Sequence, residues 1–326
     1  MAAPGFRYLY GPVPSRRLGL SLGVDLVPFK TCTYDCIYCQ LGRTTPKTAE
    51  RQEYVPMADI LGEVEQKLAD GPVPDYVTLA GSGEPTLNER IGELIGEIKK
   101  LTYIPIAVLT NGSLLWQREV QDALMEADLV LPSLDAGDEH LFRYVNRPHR
   151  EITFDQMVSG LAEFTRRFSK PVWLEVFLLA GVTGILSEVE KIAALARQIQ
   201  PQRVQLNTVS RPPSEEFARP VSWEQMQEFA TLFDGKAEVI SEDDKPRSPV
   251  WHEATDADIL ALLNRRPCTV QGVSTGLGLH IAETAKRLQA LIEEGSVTTV
   301  RNNKTLFYEA VRAEGKGIPA QAEGTI

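Results

Sequence analysis

At 326 residues the chain is longer than one small domain and can bury a sizeable core without disulfides. Its hydrophobic share of 43% and charged share of 24% are ordinary for a globular protein. A formal net charge of −10 argues against generic nucleic-acid binding, which rests on Lys and Arg.

The N-terminal stretch 1–23 carries Pro4, Pro12, Pro14, Arg16 and Arg17 where a signal peptide would carry an unbroken apolar run. No run is long and apolar enough to span a bilayer, so no membrane contact and a cytoplasmic location with reduced thiols are expected. Strands are predicted at 20–26, 76–80, 106–110, 129–134, 172–179, 204–209 and 237–240. They are short, rich in Val, Ile and Leu, and mostly bounded by Gly or Pro. Helices are predicted between them at 57–68, 89–101, 117–126, 154–168, 188–200 and 223–233. In the first, Ile60, Leu61, Val64 and Leu68 share a face. About six such units predict an α/β fold, a partial (β/α)6 TIM-like barrel over 1–241. Its chemistry belongs at the C-terminal ends of the strands.

The alternation then stops. Residues 242–254, with Asp243, Asp244 and two prolines, read as a linker. Over 255–312 three helices are predicted at 256–264, 270–275 and 279–294. Two strands, 297–301 and 305–310, follow around Asn302, Asn303 and Lys304. This is the pattern of a small winged helix-turn-helix domain. Ile281, Ala285, Leu288, Leu291 and Ile292 are expected on the inner face of its last helix. The small, polar stretch 313–326 is expected to be a disordered tail.

Three of the four cysteines fall in Cys32-Thr-Tyr-Asp-Cys36-Ile-Tyr-Cys39, a C-x3-C-x2-C spacing. That is a ligand pattern rather than a disulfide framework. Thiolates bind iron–sulfur clusters, and three of them leave one iron of a four-iron cluster open. A structural zinc would call for a fourth ligand, and no further Cys or His lies nearby. The histidines His140, His149, His252 and His280 have no metal-ligand spacing, and Cys268 reads as a buried thiol.

Following a first strand, this loop resembles the signature of the radical S-adenosylmethionine (SAM) superfamily. The resemblance covers about residues 8–240. It implies a [4Fe-4S] cluster on Cys32, Cys36 and Cys39, with SAM chelating the open iron. Reductive cleavage to a 5′-deoxyadenosyl radical would follow. Tyr38 stands where that family has an aromatic residue near the adenine. Leu79-Ala-Gly-Ser-Gly-Glu-Pro-Thr-Leu87 is similar to the family's Gly-Gly-Glu motif, with Ser82 in place of the first glycine and Gly83 and Glu84 matching. The resemblance assigns Glu84 to the SAM ammonium. It also implies SAM contacts at the later strand ends, from Asn111 in Thr110-Asn111-Gly112, from Ser133 and Asp135, and from Glu175. Glu175 could instead be a salt bridge inside the barrel. Asn207 and Arg211 follow on the sixth strand and its loop.

The run from Tyr10 to Gly23 and Gln40-Leu-Gly-Arg-Thr-Thr45 resemble a subgroup related to the wyosine-type tRNA-modifying radical SAM enzymes. Those enzymes carry further cysteines for a second cluster, and this chain has none before Cys32. Arg16 and Arg17 are candidates for substrate anions or for salt bridges. Residues 255–312 hold seven basic and six acidic side chains, a net +1, which leaves −11 on the rest. His280, Thr284, Lys286, Arg287, Arg301 and Lys304 are the candidate nucleic-acid contacts of this region. Docking of a protein stays equally open, because the region is not strongly basic.

The expected function is modification of tRNA. The alternative is modification or activation of a protein or metabolite, and a remoter one is an iron–sulfur sensor. A low-potential donor such as flavodoxin or ferredoxin is the implied partner.

Overall fold

The computed structural model describes residues 6–69, 73–240, 254–302 and 305–311. All of the linker expected at 242–254 but Ala254, the tail at 313–326, and Asn303, Lys304 and Arg312 lie outside them.

In chain order the first elements are β1 (Leu9–Ser15), β2 (Gly19–Val24), α1 (Met57–Ala69), β3 (Tyr76–Leu79), α2 (Ile91–Leu101), β4 (Ile106–Thr110) and α3 (Arg118–Ala123). Then come β5 (Leu129–Pro132), α4 (Glu139–Val145), α5 (Phe154–Arg167), β6 (Trp173–Leu178), α6 (Leu186–Ile199), β7 (Arg203–Thr208), α7 (Trp223–Ala230) and β8 (Ala237–Val239). Strands β2 to β5 are parallel neighbours in sequence order, and so are β6 to β8. Parallel bridges Val130 to Val172 and Ser133 to Glu175 join the two groups. The result is a mixed α/β fold on a parallel sheet.

Two elements are additions to the sequence reading. β1 pairs antiparallel with β2 at the sheet edge. Its Gly11, Pro12 and Pro14 hide it from a pattern search, yet an edge strand tolerates prolines that a central strand would not. α4 is short, capped by Asp138, whose side chain accepts from Leu141 N.

The apolar runs of the strands follow from burial on both faces. All four residues of β5 and four of the five in β4 are buried. The helices cover the sheet through spaced stripes such as Ile91, Leu94, Ile95 and Ile98 in α2. Thr153 and Gln156 form a reciprocal cap at the start of α5.

The C-terminal residues form α8 (Asp256–Arg265), α9 (Val270–Leu277), α10 (Ile281–Glu293), β9 (Val297–Asn302) and β10 (Thr305–Ala310). Cys268 bridges Tyr308 antiparallel beside the hairpin. The core of this unit, including Ile259, Leu262, Val273, Leu288 and Leu291, also takes in Val13 of β1.

The inner face of α10 differs from expectation. Thr284, Leu288 and Leu291 are buried, whereas Ile281 is 45% exposed and Ala285 is exposed. Thr284 can go inside because its hydroxyl donates to His280 O at 3.1 Å. It is therefore not available as a groove contact. Arg287 is committed as well, to Ala254 O, Asp256 and Glu283.

Candidate active site

The loop after β2 brings Cys32, Cys36 and Cys39 to one cavity of about 440 Å³. That volume is in the range of small-molecule pockets. All three cysteines are free and half-buried. Each sulfur has a nitrogen donor. Tyr34 N lies 3.5 Å and Asn111 Nδ2 3.6 Å from Cys32 Sγ, Asn146 Nδ2 3.5 Å from Cys36 Sγ, and Lys30 Nζ 3.3 Å from Cys39 Sγ.

The glycine turn after β3 is pressed onto this loop. Lys30 N donates to Ser82 O at 2.6 Å and Glu84 N to Thr31 O at 3.1 Å. A Cβ on Gly83 would sit 1.8 Å from Thr31 O, so no side chain fits between turn and loop. Gly81 has φ +115°, and a Cβ there would meet Asp25 Oδ1 at 1.8 Å.

Of the residues singled out in the sequence, Tyr38, Ser82, Gly83, Asn111, Ser133 and Glu175 line the cavity with the cysteines. Tyr38 stacks on Phe177, with centroids 4.0 Å apart and planes at 11°. Arg17 forms an ion pair with Glu175, and Asn207 Nδ2 donates to Glu175 at 3.1 Å. Burial alone would raise the Glu175 carboxyl, but Arg17, Asn207 and Arg16 hold it below its usual range.

Glu84 and Asp135 do not line the cavity. Glu84 is 2% exposed, and its carboxylate accepts from Thr86 N and Oγ1, Thr110 Oγ1 and Asn111 N. It ties the ends of β3 and β4 together. Burial pushes its carboxyl up against the pull of these hydrogen bonds. Asp135 likewise accepts from Tyr38 OH, Asn146 Nδ2 and Phe177 N. Burial pushes its carboxyl up to about 6 against the pull of Tyr38 and Asn146. It orients side chains that reach the site.

Lys30, Asn146 and the pair Asp25–Arg265 were missed in the sequence. Lys30 and Asp25 sit near the cysteine loop but belong to no spacing pattern. Asn146 and Arg265 reach the site only through the fold.

The donor set fits an iron–sulfur cluster. Burial, with a contribution from Glu84, pushes the Cys32 thiol up to about 12, and burial raises Cys36 well above its usual value. Thiolates in such a place need a cation, which iron supplies. Among the described residues no three His, Cys, Asp or Glu side chains converge on one ion.

The radical SAM superfamily model matches residues 26–218, more than half of the chain. A UPF0026 protein of Methanocaldococcus jannaschii is 33% identical over 92% of this chain and 94% of its own length. A UPF0026 protein of Helicobacter pylori is 32% identical over 92% and 96%. A GTPase Obg of Brachyspira hyodysenteriae is 40% identical over 92% of this chain, which spans only 45% of that relative. Among solved structures, a radical SAM methyltransferase from Sphaerobacter thermophilus superposes with a TM-score of 0.50 at 18% identity, over 67% of this chain and 66% of that one. Streptococcus suis SuiB bound to precursor peptide SuiA gives 0.51 at 14%, over 68% and 49%. These two likenesses concern the fold alone.

The chain belongs to the radical SAM superfamily, enzymes that use a [4Fe-4S] cluster to cleave SAM reductively, and within it to the UPF0026 proteins.

Proposed function

We propose that Cys32, Cys36 and Cys39 hold the [4Fe-4S] cluster and that SAM lies beside it against the turn Gly81–Ser82–Gly83. The observation that carries this reading is the set of nitrogen donors, at least one to each of the three sulfurs, at the wall of one cavity. Donors of this kind stabilise thiolate charge without competing for iron. Tyr38 and Phe177 offer a flat apolar surface for the adenine, and Asn111, Ser133 and the Glu175 carboxylate offer polar groups for the rest of SAM. When bound, the cluster supplies the electron that cleaves SAM. The protein's own part is to hold SAM and to orient the substrate's reacting hydrogen toward it.

The barrel reading divides the chain into a partial (β/α)6 barrel over 1–241, a linker over 242–254 and a winged-helix unit over 255–312. We read the substrate as tRNA, on the strength of the N-terminal run that resembles the wyosine-type enzymes. The second reading is a protein or metabolite substrate with the C-terminal unit as docking module. It is favoured by the burial of Thr284 and the internal commitment of Arg287. The sensor alternative gives way to membership of an enzyme superfamily. A low-potential reductant of the flavodoxin or ferredoxin type would deliver the electron.

The test is 5′-deoxyadenosine release by anaerobically reconstituted protein with SAM and dithionite, with and without bulk tRNA, and Cys36→Ala as the blank. Release that is lost in the variant and stimulated by tRNA supports the reading. Release indifferent to tRNA moves the substrate to a protein or metabolite. No release from protein with a full cluster overturns the assignment of these residues.

A further inference from the structure

Two large aromatic side chains stand out of the surface beside the cysteine loop. Tyr144, in the last turn of α4, is 45% exposed, and Phe217, after β7, is 47% exposed. Their ring centroids lie 6.3 Å apart with planes at 34°, within the range of paired aromatics. Arg143, next to Tyr144 in the chain, pairs with Glu139, and Glu215, two residues before Phe217, pairs with Arg43. Apolar groups with polar ones around them are the anatomy of a protein interface.

Both rings are tied to the stretch between Cys36 and Cys39. Tyr144 precedes Val145, whose carbonyl accepts from Ile37 N at 2.9 Å. On the other side Glu215 N donates to Ile37 O at 3.0 Å, and Ser214 Oγ donates to Cys36 O at 3.0 Å. Ile37, Val145 and Ala218 pack in one buried cluster. Asn146, two residues after Tyr144, places its Nδ2 3.5 Å from Cys36 Sγ. Neither ring lines the cavity that the three cysteines face, so the pair lies on the outer side of their loop.

We propose that Tyr144 and Phe217 form the docking surface for a flavodoxin-type electron donor. The inference rests on the reading that Cys32, Cys36 and Cys39 hold the cluster. An electron crosses protein only over a short distance. Its donor must therefore meet the surface close to those thiols, without closing the cavity that takes SAM. The ring pair meets both conditions. The benzenoid edge of a flavin carries methyl groups and no polar atom, and aromatic rings are a fitting contact for it. Redox encounters are small and short-lived, so two rings with a polar rim suffice in area. In the transfer the anionic flavin hydroquinone is oxidised by one electron and the cluster is reduced by one. No bond forms or breaks, and no proton moves.

The probe is flavodoxin hydroquinone, mixed below saturation with the anaerobically reconstituted full chain. Bleaching of the cluster's visible absorption gives the second-order rate of reduction. Dithionite, which needs no docking surface, is the comparison. Wild type is set against Tyr144→Ala, Phe217→Ala, Tyr144→Phe and Tyr103→Ala. Tyr103 is a fully exposed ring just before β4, at the opposite end of the parallel strands from the cysteine loop. Each of the first two variants should be reduced by flavodoxin about tenfold more slowly, the loss of one interface anchor. Tyr144→Phe and Tyr103→Ala should keep the wild-type rate, and all variants should react alike with dithionite. Flavodoxin rates indifferent to Tyr144→Ala and Phe217→Ala overturn the docking surface, as does wild type that dithionite reduces and flavodoxin does not. An equal loss with dithionite overturns it too, since that reports a disturbed cysteine loop rather than a lost contact. A ferredoxin slowed by the two Ala variants while flavodoxin is not overturns the flavin donor in favour of an iron–sulfur one. Wild type that assembles no cluster sinks the underlying reading instead.

Discussion

Arg265 of α8 meets Asp25 at the end of β2, with Nη2 3.0 Å from the carboxylate Oδ2. The same guanidinium donates to Leu9 O at 3.2 Å and lies 4.5 Å from the centre of the Tyr10 ring. The other carboxylate oxygen of Asp25 accepts from Ser82 N at 2.8 Å. A charge in the C-terminal unit is thereby two contacts away from the glycine turn beside the cysteines.

Arg265→Ala should leave Asp25 as an unpaired buried carboxylate. Both partners are mostly out of water, so a loss of about 3 kcal/mol in unfolding free energy is expected. SAM affinity should fall with it, because Ser82 N loses a fixed acceptor. Burial already pushes the Asp25 carboxyl up, against the pull of Arg265. Without Arg265 it rises further, so the variant's deficit should shrink as the pH falls and Asp25 takes a proton. Denaturant unfolding against pH, with SAM binding by calorimetry, checks both effects. Unchanged SAM affinity would remove the link between the unit and the turn.

Lys30 is 3% exposed, and its ammonium faces Cys39 Sγ at 3.3 Å. A cation at that sulfur favours the more negative, reduced form of a cluster bound there. Lys30→Met should therefore shift the midpoint potential to more negative values, on the order of tens of mV. A redox titration followed by electron paramagnetic resonance reads the shift directly. An unaltered potential would mean that the ammonium only packs.

Gly83→Ala should force the turn and the cysteine loop apart, since the new Cβ meets the backbone at Thr31 O. Overpacking of this kind costs about 1–3 kcal/mol. Iron bound per chain after reconstitution should drop as well, because Thr31 adjoins Cys32. Gly62→Ala in α1, where a Cβ meets nothing within 4 Å, is the control. It should raise stability by roughly 0.5–1 kcal/mol through helix propensity. Thermal unfolding and iron analysis of the two variants side by side decide the matter.

Asp128 accepts from Lys99 Nζ at 2.7 Å and from Ile106 N at 2.9 Å, and Lys170 Nζ lies at 3.5 Å. Burial alone would raise its carboxyl, but Lys99, Ile106 and Lys170 hold it below its usual value. For a depressed carboxyl the stabilisation is complete above the unfolded-state pKa, about 3.9. It is lost as the pH falls through the lower folded-state value. Asp128→Asn should cost about 1–2 kcal/mol at neutral pH, with partial exposure keeping it modest. The gap to wild type should stay constant down to about pH 5 and close below pH 4. A gap independent of pH would mean that the carboxylate charge plays no part.

The parallel sheet was legible because its strands are buried on both faces and therefore spell continuous apolar runs. Residues 106–110 match β4 to the residue, and the other βα strands shift by one or two positions at one or both ends. The gathering of Cys32, Cys36 and Cys39 at one cavity was legible because three thiols on one loop are a local matter of spacing. β1 was not, since its proline-rich sequence is tolerated only through its edge position. The inner face of α10 was misread because an apolar count passes over a Thr whose hydroxyl bonds the previous turn of its own helix.

The sequence alone determined the chemistry of the ligands, the βα alternation and the order in which polar strand ends reach the site. Each of these depends on residues close together in the chain. Only the tertiary structure decided which polar groups face the cavity and which are consumed behind it. Glu84 and Asp135 accept from donors on neighbouring strands, while Arg17 finds Glu175 across 158 positions. Such pairings are set by which strand ends the sheet makes neighbours and by the cost of burying a charge without a partner. A pattern read along one chain carries neither.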